Sequence, residues 1–440
     1  MDFLVTPLAF ILVLGVMIFF HEFGHFITAK AFGMRVFIFS FGFGKRLVGF
    51  KWGDTDCRVS LIPLGGYVKL EGEPGDHISE DTSMLGDSRD FTSRPRWQRF
   101  IVYLAGPAMN GVLTVSVLTG LYMLGFQVDA SLYDRPIIGV VEPGSPAEAA
   151  GLQPGDEIVA IDGKPQASWE DAQYNVLIRP DAALELKIRR GASEQLVSVR
   201  ASSTAQEKVG TIGVHPLVRV GEVLKGKPAE AAGLKADDAI LKIDGKPIKA
   251  FAEVIPIVNA AAGKTLLLDV YREGQIVQIA VVPKDEGQGA RIGVGPKMVL
   301  KKFGLAGAVR ESLRWTWSMT TQTFEVLGRL LTAQISPKTM MGPLGIAKAS
   351  GDAARGGPGP LLYLVAIVSL QVGILNLFPL PPLDGGHLAI LAGESLLRRD
   401  FSMTVKSWIM NAGAAVLFLL IGLVLYADLS KTSWLGRYLP

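Results

Sequence analysis

Residues 3–32 read FLVTPLAFILVLGVMIFFHEFGHFITAKAF, and this stretch decides what kind of fold the chain adopts. From Phe3 to Phe20 it carries no charge, and about 20 mostly apolar residues suffice to cross a bilayer as a helix. The opening MDFLVTPLAF lacks a basic segment and no small-residue cleavage site follows it, so a retained membrane helix is expected rather than a signal peptide. Into this apolar helix the sequence places His21, Glu22 and His25 as H-E-F-G-H. Positions i and i+4 share one helix face, so two imidazoles can grip one metal ion while Glu22 flanks the vacant position. Ionisable groups in hydrocarbon cost ~2.5 kcal/mol or more and usually serve function there. The alternative is three polar groups pairing with one another for helix packing. A catalytic zinc site needs a third protein ligand and one open position for water. The metal lowers the pKa of that water toward about 7, and a neighbouring carboxylate takes its proton.

The third ligand should come from another span. Three further apolar runs, Phe100–Phe126, Leu361–Leu388 and Trp408–Tyr426, are long enough to cross. The run Phe303–Ala333 carries Arg310, Glu311, Arg314, Glu325 and Arg329 and reads as one or two amphipathic helices at the membrane. The third span closes on Asn376–His387, NLFPLPPLDGGH. Its prolines break a helix, and Gly385 and Gly386 let another backbone come close, so a broken helix lining a cavity is expected. Asp384 and His387 are both able to ligate metal. His21 lies about 18 residues into its span and Asp384 about 23 into its own, which at ~1.5 Å per residue puts both near one depth. Asn376 can donate to a substrate carbonyl or serve as a packing amide. His77 and His215 sit in polar segments and read as surface histidines.

Basic residues gather between spans one and two (Lys30, Arg35, Lys45, Arg46, Lys51, Arg58, Lys69, Arg94, Arg96, Arg99) and between three and four (Arg398, Arg399, Lys406), against only Lys431 and Arg437 in the C-terminal tail. The positive-inside rule puts both loops in the cytoplasm, with both termini and the long middle region outside. The net charge of +3 is too small to bear on nucleic acid, but the lack of a basic run with interleaved aromatics argues against a polyanion-binding role. Cys57 is the only cysteine, which excludes an intrachain disulfide and a cysteine-based zinc finger.

The middle region holds a repeat. Gly139–Pro165 reads GVVEPGSPAEAAGLQPGDEIVAIDGKP and Gly221–Pro247 reads GEVLKGKPAEAAGLKADDAILKIDGKP, offset by 82 residues. Each unit predicts a strand, a short helix, a second strand, a hairpin at DGKP, a longer helix and further strands. The pattern resembles circularly permuted PDZ domains, which add a peptide to an open sheet edge. By that resemblance the edges follow Ile137–Val140 and Val218–Val220. The second copy departs from the first, with Ala236 and Asp237 in place of Pro154 and Gly155. A spacer that binds nothing is the alternative. Between the first two spans, Phe37, Phe39, Phe41 and Phe43 alternate with smaller residues, a turn follows at Gly44–Arg46, and a second strand reads RVSLIP. These predict β-hairpins with exposed edges, dipping toward the membrane where protein or a water cavity covers them.

HExxH in a first span, NxxPxPxLDGG in a later one, and tandem PDZ domains between them resemble the site-2 protease family, the intramembrane zinc metalloproteases. The likeness covers nearly the whole chain. It implies one zinc ion held by His21, His25 and Asp384, with Glu22 as general base and Asn376 binding substrate backbone. It further implies a membrane-associated β-element (Gly42, Gly44, Val59, Ser60, Leu61, Ile62, Pro63, Gly65, Gly66) that receives an unwound substrate strand. The expected architecture is a mainly α-helical core of four spans with this hairpin element and two periplasmic α+β PDZ domains. The segments are 1–33 (first span), 34–98 (hairpin region), 99–126 (second span), 127–216 and 217–298 (PDZ domains), 299–358 (amphipathic linker), 359–394 (third span) and 395–440 (loop and fourth span). The bacterial inner membrane, a site near its cytoplasmic face, single-span substrates of the anti-sigma-factor type, remnant signal peptides and an envelope-stress role are implied as well. Two other readings compete: a PDZ scaffold with an inactive metal motif, and an HExxH membrane protease whose third ligand is a glutamate.

Overall fold

The computed structural model describes residues 2–72, 89–203, 209–285, 289–332, 334–336 and 341–431; His77 and Arg437 lie outside them. The chain forms two compact units, one from residues 1–125, 302–327 and 340–440, the other from 126–301 and 328–339.

The first unit is helical. Among the described residues four helices are long and apolar enough to cross a membrane: Leu4–Ala31, Arg96–Leu124, Pro358–Asn376 and Met403–Tyr426. The first and second meet where Gly24 faces the Ala105 carbonyl; a Cβ there would lie 2.3 Å from that oxygen, so only glycine permits so close a crossing. Val13 and Met17 on the first helix, Leu113 on the second, and Val365 and Val368 on the third share one apolar cluster. The third apolar run is not one helix. It stops at Asn376, passes through Leu377–Leu383, and resumes as Asp384–Leu397. Pro379, Pro381 and Pro382 end the first piece, and the chain then folds back so tightly that a Cβ on Gly385 would sit 2.2 Å from the Leu377 and Phe378 oxygens. Gly413 on the last helix packs against Pro381 with as little room, 2.3 Å to its oxygen. The amphipathic run is a single helix, Leu305–Leu331, with Trp317 and Phe324 exposed.

Beside the first helix lies one antiparallel pair of long strands, Val36–Trp52 and Thr55–Leu70. Each folds back on the other. Residues 56–59 pair with 38–41 on one side and with 48–51 on the other, and 66–70 add outside 36–41. Gly42 and Gly44, at φ +91° and +89°, make the bend that allows this. Buried Ser40 and Ser60 bond each other at 2.9 Å across the sheet. The expected free edge at Val59 and Ser60 is therefore not free: Val59 pairs with both Phe41 and Val48, and Ser60 with Arg46. The outer positions belong to Gly66–Leu70 on one side and Val48–Lys51 on the other, beyond which no strand pairs among the described residues; of the two, Gly66 lies at a cavity of this unit. Val36, Leu70, Phe26, Val102, Tyr103 and Leu391 pack together and fix the base of this sheet to the helices.

The second unit holds two copies of one strand-and-helix design, with the element order expected from the repeat. In the first, Lys164–Pro165, Glu157–Ile161, Ala183–Arg190 and Ser193–Arg200 form a sheet, and Ile138–Val141 pairs with Val214–Pro216. In the second, strands Gln275–Val281, Leu266–Arg272, Ala239–Ile243, Val218–Val223 and Val294–Pro296 follow one another across a sheet. Each copy has its own apolar core. The 82-residue offset extends to an ion pair: fully buried Asp156 takes Arg190 as Asp238 takes Arg272, every bond 2.7 Å. The turn survives the departure in the second copy, because Asp237 adopts the left-handed φ of +70° that Gly155 takes at +94°, and aspartate tolerates that region better than most residues. The edges expected at Ile137–Val140 and Val218–Val220 are occupied. The first pairs with residues 214–216 and bridges Glu157, and the second lies between 239–243 and 294–296. The outer strands are Val214–Pro216 and Val294–Pro296.

Candidate active site

All of this packing in the first unit converges on a cavity of about 440 Å³ lined by His21, Glu22, His25, Gly66, Asn376 and Asp384, among others. Helical spacing puts His21 and His25 one turn apart, with their Nε2 atoms 3.3 Å from each other. Asp384 opens the helix after the proline segment, and its Oδ2 lies 3.1 Å from His21 Nε2 and 3.5 Å from His25 Nε2. Two ligand atoms each ~2.0–2.1 Å from one tetrahedral ion stand about 3.3 Å apart, and these three separations bracket that value. Asp384 Oδ2 is buried with the two imidazole nitrogens as its nearest polar neighbours, and a buried carboxylate oxygen persists only where a donor or a cation takes its lone pairs. Among the described residues His21, His25 and Asp384 form the one group placed to hold a metal ion. The donor set, two imidazoles and one carboxylate, suits zinc.

The second nitrogen of each imidazole is also held. His25 Nδ1 donates to the Val102 carbonyl at 2.8 Å, which leaves its Nε2 lone pair free in the neutral ring. His21 Nδ1 faces the Asn110 amide at 3.2 Å. The floor beneath both rings is Gly106, where a Cβ would come 2.2 Å from His25 Nε2 and 3.0 Å from His21 Cε1. Glu22 lines the same cavity against Gly66, where a Cβ would come 3.0 Å from Glu22 Cγ. Asn376, the last residue of its helix, places Nδ2 3.5 Å from His21 Nε2.

Other expected residues fall elsewhere. His387 lines the cavity, but its ring stacks on Tyr103 at 4.6 Å and stands outside the ligand cluster. His215 belongs to the second unit, where Nε2 meets Glu142 at 2.9 Å. Gly65 and Gly66 line the cavity. Gly42 and Gly44 shape the sheet, and Leu61 and Ile62 are exposed beside it. Asn110, Gly106 and Tyr103 went unnoticed in the sequence. The first of them had a signal, a polar amide in the middle of an apolar span.

Comparison with known proteins extends the likeness beyond the site. The model of "Peptidase family M50" matches residues 9–420. The regulator of sigma-E protease RseP of Salmonella typhimurium is 32% identical over 456 residues, covering 96% of this chain and 98% of that protein. The protein of the same name from Escherichia coli K12 is 31% identical over 461 residues, covering 98% and 100%. A solved PDZ domain, from the SdrC-like protein of Listeria monocytogenes, is 27% identical over 18% of this chain and 85% of its own, with a TM-score of 0.17. With a family model spanning most of its length and relatives aligned end to end, the chain belongs to peptidase family M50, the site-2 proteases, and is a metalloprotease.

Proposed function

We propose that the chain is an intramembrane endopeptidase of the bacterial inner membrane that holds one zinc ion through His21, His25 and Asp384. The observation that carries this reading is the convergence of Asp384 Oδ2, from residues far along the chain, on the two imidazoles of the first helix. When bound, the ion supplies Lewis-acid activation of a water and of the scissile carbonyl. The chain's own groups do the rest. Glu22 takes the proton of the attacking water on its carboxylate and passes it to the leaving amine nitrogen. Asn376 Nδ2 donates to the scissile carbonyl oxygen as charge develops there.

A transmembrane substrate hides its amides in its own helix and must unwind before attack. The outer strand Gly66–Leu70, beside the cavity, is the edge that takes over those hydrogen bonds, with Val59–Pro63 supporting it from within the sheet. Substrates are single-span membrane proteins already trimmed outside by a first cut: anti-sigma factors, as the relatives' role in sigma-E regulation suggests, and remnant signal peptides. The PDZ domains, 127–216 and 217–298, lie in the periplasm with both termini. They act as a size filter or as a sensor of the new end, while the site sits near the cytoplasmic face.

The test is Glu22→Gln. The variant keeps its zinc and loses cleavage of a truncated single-span substrate by about 10²-fold or more. Wild-type turnover by that variant would remove the proposed base, and loss of zinc from Asp384→Ala checks the ligand.

A further inference from the structure

Asn110 is fully buried in the middle of the second helix, among residues chosen for hydrocarbon. A neutral amide there costs free energy unless its polar atoms are satisfied, yet only one end of it is. Its Nδ2 stands 3.2 Å from His21 Nδ1, while its Oδ1 is buried with no partner. The backbone around it is pinned: Thr114 Oγ1 and Ser369 Oγ both donate to the Asn110 carbonyl, at 2.9 and 3.1 Å. Gly373 on the third helix leaves it room, with a Cβ there only 3.0 Å from Asn110 Cβ. Asn110 is thus held against His21 by two helices at once.

The two ends of an amide have the same shape, so the chemistry of the partner decides which end faces it. With the NH2 toward His21, Nδ1 must be bare and the single ring proton sits on Nε2, the atom turned toward Asp384 and His25. That proton would occupy the lone pair a metal needs. With the oxygen toward His21, the amide accepts from Nδ1–H and Nε2 is bare. Turning the amide end for end gives up no hydrogen bond, because Oδ1 has none to lose. His25 already follows the second pattern, its Nδ1 proton held by the Val102 oxygen.

We propose that Asn110 is a positioning residue whose amide oxygen accepts the Nδ1 proton of His21 and so keeps the Nε2 lone pair directed at the zinc. This rests on the zinc reading above. It assigns the second helix a role in the metal centre through hydrogen bonding to a ligand, the kind of contact whose removal weakens metal binding about 10–100-fold.

The experiment measures zinc affinity of the full-length, detergent-solubilised protein by competition with a chelator, for wild type, Asn110→Asp, Asn110→Leu and His21→Ala. Asn110→Asp keeps an acceptor toward Nδ1 and cannot donate, so it binds zinc as tightly as wild type or tighter. Asn110→Leu has a similar volume and no acceptor, and loses about 10–100-fold. Equal losses in both variants, or wild-type affinity in Asn110→Leu, overturn the proposal. Should Asn110→Leu not fold, Asn110→Asp decides alone: retention of zinc supports the acceptor role, and failure to hold zinc for any reason overturns it. If instead wild type holds no stoichiometric zinc, or His21→Ala holds as much as wild type, the zinc reading has failed and not the role of Asn110.

Discussion

Gly106 shows how narrowly the site is built, since a single methyl there would come 2.2 Å from His25 Nε2. His25 cannot easily yield, because its other nitrogen is tied to the Val102 oxygen at 2.8 Å. Gly106→Ala therefore displaces the imidazole or pushes the two helices apart, and overpacking of this kind costs about 1–3 kcal/mol. The expected outcome is zinc affinity reduced about tenfold or more, measured by chelator competition, with a smaller fall in the unfolding temperature. Unchanged affinity would mean that the ring lies elsewhere when metal is bound. Residues of this sort explain what could and could not be read beforehand. His21, Glu22, His25 and Asp384 announced themselves because charge in an apolar run is expensive and therefore informative. Gly106 carries no chemistry, and its importance exists only where another helix supplies a ring to pass over it. Asn110 stood in view as a polar residue in a span, but nothing local said which imidazole it would meet.

The strand-rich element taught the opposite lesson. Alternating phenylalanines correctly predicted strands, yet the location of the edge depends on how two long strands fold back on each other. Glycines at positive φ, Gly42 and Gly44, make that bend. As a result Val59 lies in the interior of the sheet, paired with Phe41 and with Val48, and Gly66–Leu70 takes the outside. The two arrangements predict different damage. If Val59 were on a free edge, proline there would slow cleavage and leave the fold intact. Because it is paired on both sides, Val59→Pro should remove a ladder bond and lower stability by about 1–3 kcal/mol. Thermal unfolding of the purified protein reads this directly, and an unchanged unfolding temperature would return Val59 to the edge. The PDZ edges were displaced for the same reason. The motif located each strand, but the partner that covers it, residues 214–216 in one copy and 294–296 in the other, comes from the far end of the unit. What local sequence did carry was the duplication itself, down to a turn that Asp237 preserves in place of Gly155.

At the scale of the molecule, the 176 residues from 126 to 301 are inserted into a helical unit, and each unit closes its own side of the junction. In the helical unit the Phe303 amide donates to the Tyr122 carbonyl at 2.9 Å, so the chain leaves and returns at neighbouring points. In the inserted unit Phe126–Asp129 pairs along its length with Met298–Lys301. Insertions whose ends adjoin can be removed with little strain on the host, because a short linker spans the gap. Excising 126–301 and joining Gly125 to Lys302 through a few Gly and Ser residues should therefore leave the helical unit folded, since every residue placed at the cavity comes from outside the excised segment. Zinc content should match wild type, and a truncated single-span substrate should still be cut. If the PDZ pair filters by size, the excised protein will also cut a substrate that keeps its bulky outer domain, which the full chain rejects. Retained zinc with continued rejection would instead place the discrimination in the helical unit itself, and the proposed docking of an unwound chain on Gly66–Leu70 would then have to supply the filter.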